Sequence, residues 1–590
     1  MRKIEAAAAL VDMLECEGVS HVFGVPGGPI LALCDALARS AKIEFVLTRH
    51  EQGAAYAAFA YAHATGRLGV CAATLGPGAT NLLAGLPVAL VEGAPVLAIT
   101  GQVQDDGIAR GGHQESSGWF NTPDQRAMFA ATCKATDICH EERHLPHKLR
   151  QLIRIAHADR PGPVHIQFPS GVLHGKIEYP RLAPRAYRVV EDRRIDLAAA
   201  RRAADRIGAA RRPVLLVGSR CRADECAAPL LALAKKAGIG IACDLGAKSA
   251  VDERADLFLG CIGALGHRAA ERAVKDHCDL LIAVGTSFDE ISTLGWDPAF
   301  VEGRELIQLD CLAEEIGKAF PVGDAALGHL PTLIAAIDDA MAAPEQGVLD
   351  ERLAGLAALR RTSPLYADRE MSSDRCPPLP QRIIADLRAA LPDDALVLSD
   401  SSKWARWLGR FFEAAPGQVL SAHDYEPMGW AVAGAVGAKA ALPDRPVVCL
   451  SGDGAFMMSM VELASAREQE FPIIWIVAED RRLGIIYDLQ TTLFGNRIVG
   501  TELGVNTDLV RIGEVFGIES VRIEQPGGLI GAVRDALTRK VAKLIVVNFD
   551  ADEIPTLRPR SLVVTRGMGL PVPTPGPETT RALIKLLKDR

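Results

Sequence analysis

Short apolar runs alternate with longer segments of helical periodicity along the first part of the chain. These runs predict buried strands at residues 19–25, 43–47, 70–73, 95–100 and 164–168. Because strands that alternate with helices form right-handed βαβ units, the pattern predicts a parallel sheet covered by helices. We therefore expect an α/β domain over residues 1–180.

The same alternation recurs twice, so the predicted fold class is α/β with three domains, each a mostly parallel sheet flanked by helices. The second and third predicted domains cover residues 190–342 and 378–553. Their predicted strands lie at 213–218, 239–243, 280–285 and 305–310, and at 396–399, 447–450, 473–477 and 544–548. The Pro- and charge-rich residues 343–377 are predicted to be a linker, and 554–590 a tail that ends in a short helix at 578–588.

Composition narrows the functional class. Of 590 residues, 49% are apolar and 23% are charged, which excludes a disordered chain. The 65 basic and 73 acidic residues leave a net charge of −8, so general nucleic-acid binding is not expected. The 13 cysteines include no C-x-x-C pair, which favours reduced thiols in a cytoplasmic protein over disulfides or a zinc site. Pro, Gly and charged residues interrupt the longest apolar stretch and no targeting segment is recognised, so we expect no membrane association.

A glycine-rich turn in the third block carries the clearest chemical signal. The strand at 447–450 runs into Ser451-Gly452-Asp453-Gly454-Ala455 and then a predicted helix at 457–469. Glycines let the backbone approach a phosphate, and a helix N-terminus favours an anion. A carboxylate in this turn can hold a Mg²⁺ ion shared with diphosphate oxygens, and a second ligand is expected at the end of the neighbouring strand, where Asp480 stands. Alone, Gly-Asp-Gly also makes a plain turn, but the helix and the second acidic strand end favour a site.

These residues resemble a known family. Gly452-Asp453-Gly454, then Glu462-Leu463 and Asp480, resemble the thiamine-diphosphate motif, and Leu483-Gly484-Ile485-Ile486 resembles the Leu-Gly-Met-Val of acetolactate-synthase-like enzymes. Further matches in family order are Phe23-Gly24-Val25-Pro26-Gly27-Gly28, Arg49-His50-Glu51 and Thr74-Leu75-Gly76-Pro77-Gly78-Ala79-Thr80-Asn81. The resemblance covers almost the whole chain.

The resemblance implies a fold and an activity. The expected fold is the thiamine-diphosphate-binding fold twice, with a Rossmann-like middle domain. The expected cofactors are thiamine diphosphate and Mg²⁺, and the expected activity is that of a decarboxylase or carboligase on a pyruvate-like 2-oxo acid. The family's active site needs two chains, so a homodimer or homotetramer is expected. Two alternatives remain: a lyase or decarboxylase acting on another 2-oxo or 2-hydroxyacyl substrate, CoA-linked ones included, and a non-catalytic binding or regulatory relative.

The resemblance also implies the site residues. Those expected to bind the cofactor are Gly27, Pro77, Gly78, Asn81, Lys403, Met428, Gly452, Asp453, Gly454, Ala455, Leu483, Gly484 and Ile485. The metal ligands would be Asp453, Asp480 and the backbone carbonyl of Arg482. Met428 would support the bent cofactor, with a core methionine as the alternative.

Three residues are expected to act in catalysis. A buried Glu51 carboxyl, hydrogen-bonded to the aminopyrimidine ring, would help the thiazolium C2 proton to leave; the alternative is a helix-start acid favoured by the macrodipole. His113-Gln114-Glu115 resembles the family's Phe-Gln-Glu, whose Gln reaches the reaction site, and His113 is either a proton donor or acceptor there or a surface residue. Lys134 matches a family lysine near the substrate entrance, with a solvated lysine as the alternative.

Several positions depart from the family pattern. Lys403 and Trp404 replace the Gln and His that usually hold the diphosphate, so Lys403 is expected to contact phosphate or to be a solvated helix-start lysine. Asp480 replaces an Asn, and Lys403 would offset the added charge. Leu489 stands where acetolactate synthases carry a Trp that shapes the acceptor pocket. Ser287 replaces an Arg of the flavin-binding members, which leaves FAD doubtful as a cofactor.

Overall fold

Three six-stranded parallel sheets form the framework of the computed structural model, which describes residues 3–553 except 264–265 and 505–506. In spatial order, the first sheet contains Glu44–Leu47, His21–Gly24, Gly69–Ala73, Val96–Gln102, Pro163–Pro169 and Ala135–Ile138. The middle sheet contains Phe258–Cys261, Gly240–Cys243, Pro213–Val217, Leu280–Val284, Glu305–Asp310 and Asp324–Leu327. The third contains Val419–Ser421, Leu396–Ser399, Val447–Gly452, Ile473–Glu479, Lys543–Asn548 and Glu519–Ile523. A short antiparallel pair, Ile4–Glu5 with Lys176–Ile177, stands apart from them.

Strand order shows that the first and third domains share one topology. With strands numbered along the chain within each sheet, both have the order 2-1-3-4-6-5, whereas the middle sheet has the Rossmann order 3-2-1-4-5-6. The predicted fold class is therefore confirmed. Open parallel sheets bind ligands where the strand order reverses. A ligand site is therefore expected at the turns after strands 1 and 3 of the first and third domains.

Helices cover both faces of each sheet, because strands that are apolar on both faces need packing on each side. The helices of the first domain are Ala6–Cys16, Leu31–Ala38, Glu51–Thr65, Pro77–Leu82, Leu86–Val91, Gln125–Ala130 and Leu145–His157. The middle domain has Leu197–Ala209, Ala223–Ala237, Arg268–Arg272, Leu330–Ala340 and Gln346–Thr362. The third has Pro380–Ala390, Lys403–Phe411, Trp430–Ala441, Asp453–Ser459, Leu463–Glu468, Gly484–Leu493, Leu509–Val515 and Gly528–Arg539.

The first and third domains pack through two Ala-rich helices, Glu51–Thr65 and Trp430–Ala441. A Cβ at Gly437 would overlap the backbone of Ala57, so only glycine allows this close approach. The ring of Phe59 meets that of Trp430 edge-on, with centroids 5.6 Å apart. Helix Glu51–Thr65 is consequently buried almost throughout, between two domains of one chain.

The structure differs from the sequence prediction in three places. Residues 343–377 are not only a linker, because helix Gln346–Thr362 packs Leu356 and Leu359 into the core of the middle domain. The single helix predicted over 457–469 is broken by a 3-10 turn at Met460–Glu462. Within the three parallel sheets, the strands that the sequence did not predict lie at sheet edges. Four of the five are half-exposed, which weakens their apolar signal; they are 135–138, 258–261, 324–327, 419–421 and 519–523.

Two further expectations concern the tail and membranes. The tail at 554–590 and its short helix at 578–588 lie outside the described residues. Among the helices that the structure does describe, none is long and apolar enough to cross a membrane.

Candidate active site

The Gly-Asp-Gly turn lies at the carboxyl end of strand Val447–Gly452, where helix Asp453–Ser459 begins. The buried Asp453 carboxylate accepts hydrogen bonds from the N–H of Gly454 at 2.8 Å and of Arg481 at 2.6 Å. A Cβ at Gly454 would lie 2.8 Å from Leu483 Cδ2, so a larger residue here would displace the Leu483 side chain. Asp453 therefore joins two neighbouring strand ends into one cradle.

Two buried carboxylates face each other at this cradle. Burial and the nearby Asp480 raise the pKa of Asp453 to about 7. Burial also raises the pKa of Asp480, although Lys403 opposes the shift. A divalent cation would remove the cost of ionising both groups, and carboxylate oxygens are the ligands that Mg²⁺ prefers. Asp453 and Asp480 thus fit the predicted metal site.

Met428 lies beside the same turn. Its Cε is 3.7 Å from the position that a Cβ on Gly454 would take. The next residue, Gly429, adopts a φ of +84° and donates its N–H to Asp400 at 2.9 Å. Asp400 also accepts from Ser451 at 3.1 Å, and burial raises its pKa to about 7. Met428 is thereby held next to the predicted cofactor turn instead of deep in a core.

Lys403 is buried and ion-paired. Its Nζ lies 3.0 Å and 2.9 Å from the two carboxylate oxygens of Asp488 and 3.9 Å from Asp480 Oδ2. The interpretation as a solvated helix-start lysine is therefore wrong, and phosphate contact stays a prediction. Sequence reasoning missed Asp488; an acid among apolar neighbours in helix Gly484–Leu493 is the only local signal for it.

The chain after Asp480 is held in place by a distant segment. Leu483 donates its N–H to Thr501 O at 2.7 Å, and Leu503 donates to Arg481 O at 2.8 Å. The N–H of Arg482 donates to Asp480 Oδ1 at 3.1 Å. The Arg482 carbonyl as a metal ligand, and the cofactor contacts of Gly452, Ala455, Leu483, Gly484 and Ile485, stay predictions whose residues all lie at or next to this cradle.

A second group of predicted residues lies at the carboxyl ends of three neighbouring strands of the first sheet. Glu51 begins its helix, is buried, and accepts a 2.9 Å hydrogen bond from Asn81 Nδ2. A Cβ at Gly78 would lie 2.8 Å from Glu51 Oε1. A Cβ at Gly27 would overlap Thr74, which lies just before Pro77. The glycines at these positions therefore let the turns approach the Glu51 carboxyl.

His113 and Gln114 lie in an exposed loop over this group. Gln114 has a φ of +59°, and its backbone oxygen is 3.0 Å from the position of a Cβ on Gly76. The loop therefore covers the Gly-Pro-Gly turn, while a role in catalysis stays a prediction. Lys134 is different, because its Nζ donates to the carbonyls of residues 155, 158 and 160, at 2.8, 2.6 and 2.7 Å. It ties down the end of helix Leu145–His157, so the interpretation as a solvated lysine is wrong, and a place near the substrate entrance stays a prediction.

A residue of the third domain holds the backbone next to Glu51. Glu462 accepts from the N–H groups of Arg49 at 3.1 Å and His50 at 3.0 Å, and so fixes the backbone just before Glu51. Sequence reasoning missed this structural role of Glu462.

A polar cluster at the junction of the middle and third domains was also missed. His423 Nε2 lies 3.6 Å from Asp289 Oδ1, and one ligand atom from each of these residues and Asp424 lies within 4.8 Å of the others. Burial lowers the pKa of His423, but Asp289 outweighs this effect and raises it to about 9. Glu92 accepts from the N–H of Asp424 at 2.9 Å, which brings the first domain into the junction.

We expect the stability of the protein to depend on pH through this histidine. A histidine pKa raised on folding stabilises below about pH 6.5, and the effect is lost as the pH rises through 9. The thermal unfolding midpoint of His423→Gln should therefore fall below that of the unmodified protein at pH 6, with a gap worth up to about 3 kcal/mol that closes near pH 9.5. His140→Gln, which removes an exposed histidine paired with Asp105, is the control. A gap that stays constant from pH 6 to 9.5 would contradict the ion-pair interpretation.

The fold and the two groups together define a class of protein. The first and third domains share one topology, and each carries one group of the predicted site residues at the carboxyl ends of its strands. Three family models match in order along the chain: the N-terminal TPP binding domain of thiamine pyrophosphate enzymes over residues 4–127, their central domain over 200–337, and their C-terminal TPP binding domain over 400–547.

Individual relatives narrow the class. A probable acetolactate synthase large subunit of Methanocaldococcus jannaschii is 32% identical over 576 residues, with 94% of each chain covered. The acetolactate synthase isozyme 2 large subunit of Escherichia coli is 31% identical over 551 residues, covering 93% of this chain and 96% of the relative. An acetolactate synthase of Mycobacterium bovis is 31% identical, covering 91% and 86%. The chain belongs to the acetolactate-synthase-like family of thiamine-pyrophosphate-dependent enzymes, so the resemblance found in the sequence is confirmed.

Proposed function

We propose that this enzyme is a thiamine-diphosphate- and Mg²⁺-dependent decarboxylase and carboligase that acts on a 2-oxo acid, with pyruvate or a close analogue as donor. The observation that carries the proposal is the cradle in which the Asp453 and Asp480 carboxylates lie at the ends of adjacent strands. The similarity to acetolactate synthase large subunits supports the pyruvate-like donor.

Each group has a separate task in the proposed mechanism. When bound, thiamine diphosphate supplies a nucleophilic carbon and an electron sink for the departing CO₂. Asp453 and Asp480 would hold Mg²⁺ at the diphosphate, and Gly454 lets the backbone come close to it. Glu51, held by Asn81, would keep a proton at the aminopyrimidine nitrogen. Met428 would support the cofactor between these two ends.

We propose that the enzyme is a homo-oligomer with active sites shared between subunits. The family resemblance supports this arrangement, because the active site of that family needs two chains. The loop that follows Gln114 also exposes Trp119 by 59% and Phe120 by 78%. Exposed aromatic pairs of this kind favour an interface with another chain.

A cytoplasmic location is part of the same proposal. All 13 cysteines have free thiols, nine of them buried, which suits a reducing compartment.

Thiamine diphosphate and Mg²⁺ are the cofactors that the described site residues support. Ser287 provides no cation before Phe288 in the middle domain, so FAD is not included.

Product analysis tests the proposal. The purified full-length protein, with thiamine diphosphate and Mg²⁺, should release CO₂ from pyruvate or a near analogue and form a longer 2-hydroxy-ketone product. Mass spectrometry after incubation with a panel of 2-oxo acids is the measurement, and omission of Mg²⁺ is the control. Turnover only of a 2-hydroxyacyl or CoA-linked substrate would favour the lyase alternative. Cofactor binding without CO₂ release from any substrate would favour a non-catalytic relative.

A further inference from the structure

Three buried carboxylates and one ammonium share the diphosphate cradle. Asp453 and Asp488 are buried, the Asp480 side chain is 7% exposed, and Lys403 is the buried cation among them, 5% exposed. The Lys403 Nζ contacts both oxygens of Asp488, at 2.9 and 3.0 Å, but stays 3.9 Å from Asp480 Oδ2. The ammonium is thus anchored on Asp488 and stands just outside hydrogen-bond distance of the proposed metal ligand.

The stem of the lysine has little freedom to move. A Cβ at Gly484 would overlap Lys403 Cε and lie 2.9 Å from Asp480 Oδ2, so the glycine backbone packs against both side chains. Lys403 is the first residue of its helix, where Ser402 caps by accepting from the N–H of Trp404 at 3.1 Å. With its stem packed in this way, the ammonium lies between the carboxylates of Asp480 and Asp488.

We propose that Asp488 is a positioning residue that holds the Lys403 ammonium away from Asp480 and so leaves Asp480 free to bind the metal. The inference rests on the proposed thiamine-diphosphate and Mg²⁺ function. In this arrangement the positive charge of Lys403 offsets the negative charge of the carboxylates, and the lysine does not occupy Asp480.

The physical reason is competition for Asp480. If the charge of Asp488 is removed, an ammonium 3.9 Å from Asp480 gains more from the remaining carboxylate than from a neutral amide. A lysine paired with Asp480 would have to be displaced before Mg²⁺ could bind. The loss of Asp488 should therefore weaken metal binding, and removal of the lysine as well should restore it.

The test is a Mg²⁺ titration of the full-length protein at a fixed, saturating concentration of thiamine diphosphate, followed by calorimetry. We expect Asp488→Asn to raise the half-saturating Mg²⁺ concentration about tenfold. The double variant Asp488→Asn, Lys403→Met should return to within about twofold of the unmodified protein. Asp535→Asn is the matched control, because it removes one carboxylate from another Asp–Lys pair of the same domain, with Lys543.

Several outcomes would overturn the inference. One is an Asp488→Asn protein that requires no more Mg²⁺ than Asp535→Asn. Another is a double variant that binds Mg²⁺ more weakly than Asp488→Asn, because a merely structural pair would behave in this way. A third is tighter thiamine-diphosphate binding by Asp488→Asn that depends on Lys403, which would make the lysine a phosphate ligand. Failure of the unmodified protein to bind thiamine diphosphate at any Mg²⁺ concentration would instead overturn the proposed function, and the inference with it.

Discussion

Replacing Glu51 with glutamine is expected to leave the protein folded and able to bind thiamine diphosphate, but to remove most of its activity. The glutamine side chain retains an oxygen that can accept the hydrogen bond from Asn81, which explains the intact fold. It cannot supply the carboxyl that the aminopyrimidine needs, so we expect a loss of roughly 10²–10⁴-fold in kcat. The direct measurement is hydrogen–deuterium exchange at C2 of the bound cofactor.

Glu17→Gln is the control for this experiment. Glu17 is another buried carboxylate of the first domain. It lies 2.7 Å from the guanidinium of Arg188 and is not one of the predicted site residues. Its loss should lower stability and leave the C2 exchange rate unchanged. If the Glu51→Gln protein binds the cofactor and the C2 proton exchanges as fast as in the unmodified enzyme, Glu51 has no part in the mechanism.

Replacing Asp453 with alanine is expected to abolish metal-dependent cofactor binding. The substitution removes a proposed Mg²⁺ ligand and also leaves the N–H groups of Gly454 and Arg481 without their acceptor. We expect the dissociation constant of thiamine diphosphate at fixed Mg²⁺ to rise by roughly 100-fold or more, about 3 kcal/mol of binding free energy. Calorimetric titration measures it.

Asp480→Asn is the companion variant. It keeps an oxygen ligand at the same strand end and restores the residue usual in the family, so its effect on the dissociation constant should be mild. Asp453→Asn tests the loss of charge alone, because its amide oxygen can still accept one backbone hydrogen bond and can still bind a cation. Tight, Mg²⁺-dependent binding by the Asp453→Ala protein would refute the metal site.

The local motifs of the candidate site could be read from the sequence because each lies within one short segment. The Gly-Asp-Gly turn, its helix and the strand before it are contiguous, and a Cβ at Gly454 would displace the Leu483 side chain. The placement of Glu51 at a buried helix start was equally local. Central strands were predicted because burial on both faces makes them continuous apolar runs, whereas five of the six edge strands of the three sheets escaped detection.

Helix Gln346–Thr362 shows where pattern reasoning fails. Its many charged residues resemble those of a linker, yet Leu356 and Leu359 form an apolar face, and Arg352 donates to the backbone carbonyl of Ala237 at 2.6 Å. A charged composition does not reveal whether an apolar stripe will find a partner, since that depends on the surface of the middle domain.

By itself, the sequence determined the three-domain α/β class, the family and the position of each predicted turn, because these depend on periodicity and on short motifs. Only the tertiary structure decided which charges meet. Lys403 pairs with a residue 85 positions away, and the backbone of Arg49 is held by a carboxylate 413 positions away. Such pairs depend on how strand ends and whole domains are brought together, and no local pattern encodes the choice of partner. The anchoring of Lys403 on Asp488 beside Asp480 is therefore a property of the fold.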